Sequence, residues 1–248
     1  MEKGKQVYKS NENKTVELAN CYLQTHQAPY RYLAYRDIPA LIHQFSQGRK
    51  TLDFGSGTGA SSEFLHQLRL EVVGVDVSWN MLQTARANFH HLEFFHVDEF
   101  RPCENFDLVF SSFVLLEMSS QQAIIQYLTQ SFSFLKEGGT FIGITVSEQL
   151  FSPLRRWRAF NVNFEETKNL KAGDSVKIEL KDPKIEFYDY YWTLKEYLDC
   201  FKKAHLEILH IHSPIGLPGE KYSWKDENKY SPFTIFVAKK STKTSNLS

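Results

Sequence analysis

Apolar residues in this chain come in runs that end on polar ones. TLDF (51–54) leads straight into Gly55, Gly57 and Gly59, and the apolar periodicity of residues 60–68 predicts a helix after them. EVVGVDVS (71–78) reads as a fully buried parallel strand ending in Asp76, with Ser78 placed to cap a helix that carries Met81, Leu82 and Ala85 on one face. LEFFHV (92–97) ends in Asp98, and FDLVFSSFVLL (106–116) continues past Asp107 into small hydroxylated residues. Four such runs in succession place their polar ends along one crevice.

The second half has a different rhythm. Val176, Ile178 and Leu180 alternate with Lys177, Glu179 and Lys181, and Asp182-Pro183 predicts a turn into IEFYDYYW (185–192), which together read as an inserted hairpin. Thr193 and Glu196 form a capping box opening a helix whose buried stripe is Leu194, Tyr197, Leu198 and Phe201. LEILHIHSPI (206–215) and FTIFVAKK (233–240) supply two final strands. At the other end, residues 15–45 read as two helices separated near Ala28-Pro29, with Tyr30, Tyr32, Leu33 and Tyr35 clustered where the second begins.

The glycines carry the chemistry. Lacking a Cβ, Gly55, Gly57 and Gly59 allow left-handed dihedrals and let the backbone approach a bulky ligand, and the free N–H groups of the following helix face the same place. Asp76, after the second strand, stands where an acid accepts hydrogen bonds from ribose hydroxyls.

With these residues in place, the stretch from about 35 to 146 resembles the class I S-adenosylmethionine-dependent methyltransferases. The resemblance implies S-adenosyl-L-methionine as cofactor, with Asp53 toward the methionine amino group and Gly55, Ser56 and Gly57 lining the methionine. It further implies Asp76 on the ribose, Val77 beside the adenine, Asp98 accepting from the adenine amino group, and Ser111 and Ser112 bordering the methionine and the acceptor. LKEGGTFIGITV (135–146) is similar to that family's helix end, Gly-Gly turn and fifth strand. The implied fold is α/β, a Rossmann-like doubly wound sheet of seven strands in the order 3-2-1-4-5-7-6 with the last strand antiparallel, plus the inserted hairpin as a substrate cover.

A nicotinamide dinucleotide is the competing cofactor, because Gly55, Gly57 and Ala60 also satisfy G-x-G-x-x-G/A and Asp76 suits its ribose acid. Asp53 and Gly59 fit a methionine end better, and Asp98 has no place in the dinucleotide scheme. A non-catalytic binding module that keeps the fold is the third reading.

Composition narrows the field. The 248 residues, 42% hydrophobic and 15% aromatic, suffice for one domain over 1–248: N-terminal helices (15–45), a cofactor-binding core (46–146), a cover insertion (147–192), a C-terminal helix and strands (193–240) and a disordered tail (241–248). Residues 1–14 are polar and expected to be mobile. With 29 basic and 29 acidic residues, no general charge draws the chain to nucleic acid or anionic lipid. No stretch has the length of a membrane span and the N-terminus lacks a signal-peptide core, so a cytoplasmic location is expected. Cys21, Cys103 and Cys200 are too scattered for a metal or redox pair, and the histidines lack ligand spacing, so no metal is assigned.

Methyl transfer from a sulfonium is an in-line displacement, in which orientation contributes on the order of 7–11 kcal/mol and a base is needed only when the acceptor must lose a proton. Glu117, Tyr188, Tyr190 and His205 are candidate bases that spacing does not rank, and no catalytic residue is assigned. The insertion, with Phe151, Trp157, Phe160, Phe164, Phe187, Tyr188, Tyr190, Tyr191 and Trp192, suits a flat or apolar acceptor. Alternation turns Phe187 and Tyr191 one way and Tyr188, Tyr190 and Trp192 the other, so at least one set should be core rather than pocket. RRWR (155–158) reads either as a grip for an anion or an RNA backbone, or as a solvated helix face. After the fourth strand Ser111-Ser112-Phe113 stands where the nucleic-acid amino-methylating members of the family it resembles carry Asn-Pro-Pro-Tyr or Asp-Pro-Pro-Tyr, and no cysteine is there to attack a pyrimidine. A small-molecule acceptor is therefore expected and nucleic acid is not. DYYWTLKEY resembles the small-molecule branch that includes toxoflavin-type and quinone-biosynthesis enzymes.

Overall fold

The protein is described by a computed structural model covering residues 7–9, 19, 21–22, 25, 28–182 and 184–240. The expected helix over residues 15–28 lies mostly outside these, as do residue 183 of the predicted turn and the tail 241–248.

In chain order the elements are β1 (Val7–Lys9), α1 (Pro29–Tyr35), α2 (Ile38–Phe45), β2 (Lys50–Phe54), α3 (Ala60–Gln67), β3 (Glu71–Asp76), α4 (Trp79–Asn88), β4 (Glu93–His96), β5 (Phe106–Ser112), α5 (Gln121–Ser133), β6 (Leu135–Val146), β7 (Phe160–Asn161), β8 (Ser175–Lys181), β9 (Lys184–Tyr190), α6 (Leu194–Lys203), β10 (Leu206–His212) and β11 (Phe233–Lys240). Seven strands form one sheet in the order β10-β11-β6-β5-β2-β3-β4. Counting only these strands, that is 3-2-1-4-5-7-6 read from the other edge. β2 to β6 run parallel, and β11 is antiparallel to both β6 and β10. From β2 the chain winds outward through β3 and β4, then returns to β5 on the other side of β2. That reversal opens a crevice at the carboxyl ends of β2 and β5, where ligands of such sheets sit.

The buried runs explain the central strands. Leu52, Val75, Val109, Phe110, Phe141 and Ile142 are shielded on both sheet faces by helices, as a parallel sheet requires. The capping signals also hold. Ser78 Oγ accepts from the Met81 amide at 3.4 Å, and Thr193 and Glu196 close the expected reciprocal box, with the Thr193 amide donating to Glu196 Oε2 at 3.1 Å.

Several expectations are corrected. The second N-terminal helix is two helices, because Pro39 has no amide to give the Tyr35 carbonyl and its ring crowds that carbonyl. Leu135 already pairs with Phe106, so LKEGGTFIGITV is strand from its first residue rather than a helix end and turn, with an irregularity before Thr140. Leu194 is 38% exposed because it starts α6 before that helix meets the sheet, leaving Tyr197, Cys200 and Phe201 as its buried stripe.

The hairpin is also more than a hairpin: β8 and β9 join β7 and the parallel strand β1 in a second, four-stranded sheet of order β1-β9-β8-β7. The backbone groups on the open edge of β9 take up residues 7–9, although their polar surroundings in sequence point to a mobile segment. Of the two aromatic sets, the second supplies a core residue, Trp192, with Tyr190 packed against the same cluster. Phe187, Tyr188 and Tyr190 are half-buried, while Glu186 and Asp189 are buried. RRWR lies in a loop rather than on a helix. Its Arg156 and Arg158 amides donate to Asp226 and Glu227, the Arg155 guanidinium stacks 3.3 Å from the Tyr230 ring centre, and Trp157 is buried with its indole N–H on the Leu150 carbonyl.

Candidate functional site

The strand ends and the second sheet enclose a cavity of about 240 Å³. One end is built by the glycine loop. Gly55, Gly57 and Gly59 all have positive φ (87°, 53° and 84°), but for different reasons. A Cβ on Gly55 would lie 2.2 Å from Val114 Cγ2, and one on Gly59 would strike the Phe89 and Phe94 rings at 2.8 Å. Around Gly57 there is nothing within 4 Å, so of the three only that glycine leaves room for a ligand instead of a neighbour.

Asp76 holds this loop. Its Oδ2 accepts from the Gly57 amide and its Oδ1 from the Ser78 amide, both at 2.8 Å. Each oxygen keeps a second lone pair for a hydroxyl of a bound ligand. Val77, 70% exposed, lines the mouth of the cavity together with Met81 and Val97. The Val77 carbonyl lies 2.9 Å from His96 Nε2, and the Asp98 amide donates to His96 Nδ1 at 3.3 Å, which assigns the ring proton to Nε2. The Asp98 side chain is 85% exposed and turned out of the cavity lining.

Asp53 is fully buried at the end of β2 and lies behind the wall rather than on it. Its Oδ2 accepts from Ser61 and Ser62 Oγ, at 2.6 and 2.5 Å, both from the first turn of α3. Burial pushes its carboxyl up to about 6 against the opposing pull of the two hydroxyls, with the charge of Asp76 adding to the rise. Ser111 is also behind the wall. Its hydroxyl pairs with the Tyr127 hydroxyl at 2.8 Å, and Tyr127 in turn donates to the Phe54 carbonyl at 2.7 Å. Ser112 does line the cavity and accepts from the Tyr35 hydroxyl at 2.6 Å.

Three buried polar atoms around this end lack a hydrogen-bond partner: Asp53 Oδ1, Ser56 Oγ and Arg31 Nε. Buried polar atoms are rarely left so in a finished structure. Arg31 is a cavity-lining residue that sequence reading did not single out. It is the basic residue within the aromatic start of α1, its guanidinium lies 5.5 Å from the Tyr35 ring centre, and it lines the cavity.

The other end of the cavity lies between the two sheets. Tyr30, Phe113, Phe160, Phe187 and Phe233 wall it, with Ile178 and Leu180 of β8. Tyr30 meets Phe160 and Phe113 with ring centres 5.5 and 6.1 Å apart. Phe113 has φ 60°, a left-handed backbone that a bulky side chain adopts only at a cost of order 1–3 kcal/mol. Glu117, on the short 3-10 turn Leu115–Glu117, and Asp189 of β9 line this end as well. Of the other candidate bases, Tyr188, Tyr190 and His205 are not on the lining. Phe151, Trp157, Phe164, Tyr191 and Trp192 are likewise elsewhere, as is the RRWR loop.

Among the described residues no helix is long and apolar enough to cross a membrane, and no cluster of three or more His, Cys, Asp or Glu is arranged to hold a metal ion.

Residues 51–139 match the family described as Methyltransferase domain. An uncharacterized methyltransferase of Alkaliphilus oremlandii is 27% identical over 142 residues, which is 56% of this chain and 61% of that protein. The chain therefore spans less than two thirds of that relative's length. Phosphatidylethanolamine N-methyltransferase of Cereibacter sphaeroides is 24% identical over 153 residues, covering 58% of this chain and 73% of that one. Among solved structures, an S-adenosylmethionine-dependent methyltransferase from Clostridium acetobutylicum superimposes with a TM-score of 0.60 at 18% identity, over 90% of this chain and 98% of that one, a likeness of fold.

Proposed function

We propose that the chain is a class I S-adenosylmethionine-dependent methyltransferase that transfers a methyl group from S-adenosyl-L-methionine to a small-molecule acceptor held between its two sheets. The observation that carries this reading is the continuous cavity that runs from Gly57 and Asp76 to Phe160 and Phe187.

The unpartnered atoms fit the cofactor's amino-acid end. Arg31 Nε and Ser56 Oγ are donors for a carboxylate, and Asp53 supplies a negative field for an ammonium. Asp76 has free lone pairs for ribose hydroxyls, and Val77, Met81 and Val97 offer an apolar edge for a flat base. When bound, S-adenosylmethionine supplies an activated methyl group. The protein's own work is then to hold the acceptor in line and keep water out, which aromatic walls and the second sheet do by enclosure. Asp98, being exposed and outside the lining, would reach an adenine amino group only by turning its side chain inward.

The test is thermal unfolding with S-adenosylmethionine, S-adenosylhomocysteine and NAD at equal concentrations, followed by a screen of aromatic fragments against the S-adenosylhomocysteine-loaded protein by ligand-observed NMR. A ligand at ~100 times its Kd adds about 2.7 kcal/mol. Stabilisation by the two sulfur ligands alone, with fragment binding that Ile178→Trp abolishes, is expected. Stabilisation by NAD alone would move the chain to hydride chemistry, and loaded protein that binds no fragment would overturn the small-molecule reading.

A further inference from the structure

We infer that the RRWR loop builds a second site, separate from the large cavity, which binds the phosphomonoester group of a soluble small molecule through Arg155, Arg156, Lys181 and Lys225.

The loop, β7, the end of β8 and Lys225 enclose a pocket of about 170 Å³. Its charged lining is those four cations and no carboxylate. Among the described residues, none of the four has a carboxylate within ion-pair distance. The acids that meet this loop are engaged by its main chain instead. Asp226 Oδ2 accepts from the Arg156 amide at 2.7 Å, and Glu227 accepts from the Arg158 amide at Oε1 and from the Lys225 amide at Oε2. The backbone is thereby fixed while the cationic side chains stay without a counter-charge.

Two of the cations are held in place without being neutralised. The Arg155 guanidinium lies 3.3 Å from the Tyr230 ring centre, and its Nε is buried with no acceptor. Lys181 Nζ donates to the Trp157 carbonyl at 2.7 Å, which leaves it two further N–H groups. Burial, and then the charge of Lys225, hold that ammonium below its ordinary pKa, against the opposing pull of Glu227 and Glu179. Like charges gathered round a cavity, with a buried donor left over, form an arrangement that an anion relieves.

The charge and shape of the site select the anion. A phosphomonoester carries close to two negative charges and three strong acceptor oxygens, so it uses more of these donors than a carboxylate can. The chain as a whole has 29 basic and 29 acidic residues, so the positive field is local to the pocket. That suits one compact dianion and gives no track for an RNA backbone or a membrane surface. Phe160 is a wall of both this pocket and the large cavity, so the two sites are neighbours.

Calorimetric titration of the full chain at constant ionic strength with glycerol 3-phosphate, glycerate and glycerol tests this, and it needs no cofactor. Glycerol 3-phosphate should bind with a Kd below about 1 mM and at least tenfold more tightly than glycerate. Arg156→Gln and Lys225→Gln alter exposed side chains, so each should weaken that binding fivefold or more while Tm stays within about 2 °C. Lys50→Gln, which removes a cation paired with Glu104 at the start of β2, should leave it unchanged. No binding of glycerol 3-phosphate, equal binding of glycerate, or an affinity indifferent to both pocket variants would overturn the proposal. So would binding confined to an RNA oligonucleotide or to phosphatidic acid vesicles.

Discussion

Asp53→Asn should make the free protein more stable and a poorer binder. In the fold the carboxyl is buried and raised from its ordinary 3.8 to about 6. That difference corresponds to on the order of 3 kcal/mol against the ionised form. The sign follows from proton counting: between 3.8 and 6 the folded chain keeps a proton the unfolded chain has released, so stability falls as pH rises through that window and levels off above it. Roughly half of the penalty is present at pH 5 and nearly all at pH 7.5. A neutral amide of the same shape removes it while still accepting from Ser61 and Ser62. The gain at pH 7.5 should therefore approach about 3 kcal/mol, and at pH 5 about half as much. For a chain of this size each kcal/mol moves Tm by roughly 2–4 °C. Thermal unfolding of both proteins at the two pH values, without ligand, reads the effect, and titration with S-adenosylhomocysteine should show at least a tenfold loss for the variant. An Asp53→Asn variant that is less stable at pH 7.5, or equally displaced at both pH values, would refute the account of Asp53 as a buried charge kept for a cationic ligand.

Three further outcomes follow from the same site. Gly57→Val places a side chain in the ligand space at φ 53°, costing about 1–3 kcal/mol in backbone strain, and should weaken S-adenosylhomocysteine at least a hundredfold by calorimetry; unchanged affinity would remove the glycine loop from the site. Arg31→Met deletes a charge-assisted donor worth about 1.5–3 kcal/mol, so the same titration should show a loss of roughly 10- to 100-fold, and a loss under threefold would argue that the cofactor carboxylate binds elsewhere. Tyr127→Phe leaves the Phe54 carbonyl and Ser111 hydroxyl without their buried partner at a cost of about 1–3 kcal/mol, read as a fall in Tm of several degrees; an unchanged Tm would show that water replaces the phenol.

While the order of the seven strands came from the family resemblance, the strands and helices from β2 to β5, the strands β8 to β11 with the helix α6 between them, and the location of the glycine loop were legible along the chain. These depend on local rules that operate within a few residues: apolar runs that only a doubly covered strand can bury, cap residues one turn from the helices they start, and glycines where φ must be positive. Where each side chain ended up facing came instead from long-range packing. Three acids follow three strands alike in the sequence, yet Asp53 is sealed behind the wall, Asp76 is clasped by the Gly57 amide, and Asp98 is in solvent. Arg31 was invisible because its part depends on the fold bringing its guanidinium within electrostatic reach of Asp53, some twenty residues further along. The second sheet reads as one hairpin because its outer strands, of three and two residues, are too short to show a period. The Trp192 indole reaches the Met118 carbonyl across 74 residues of chain, and such a contact is set by packing alone.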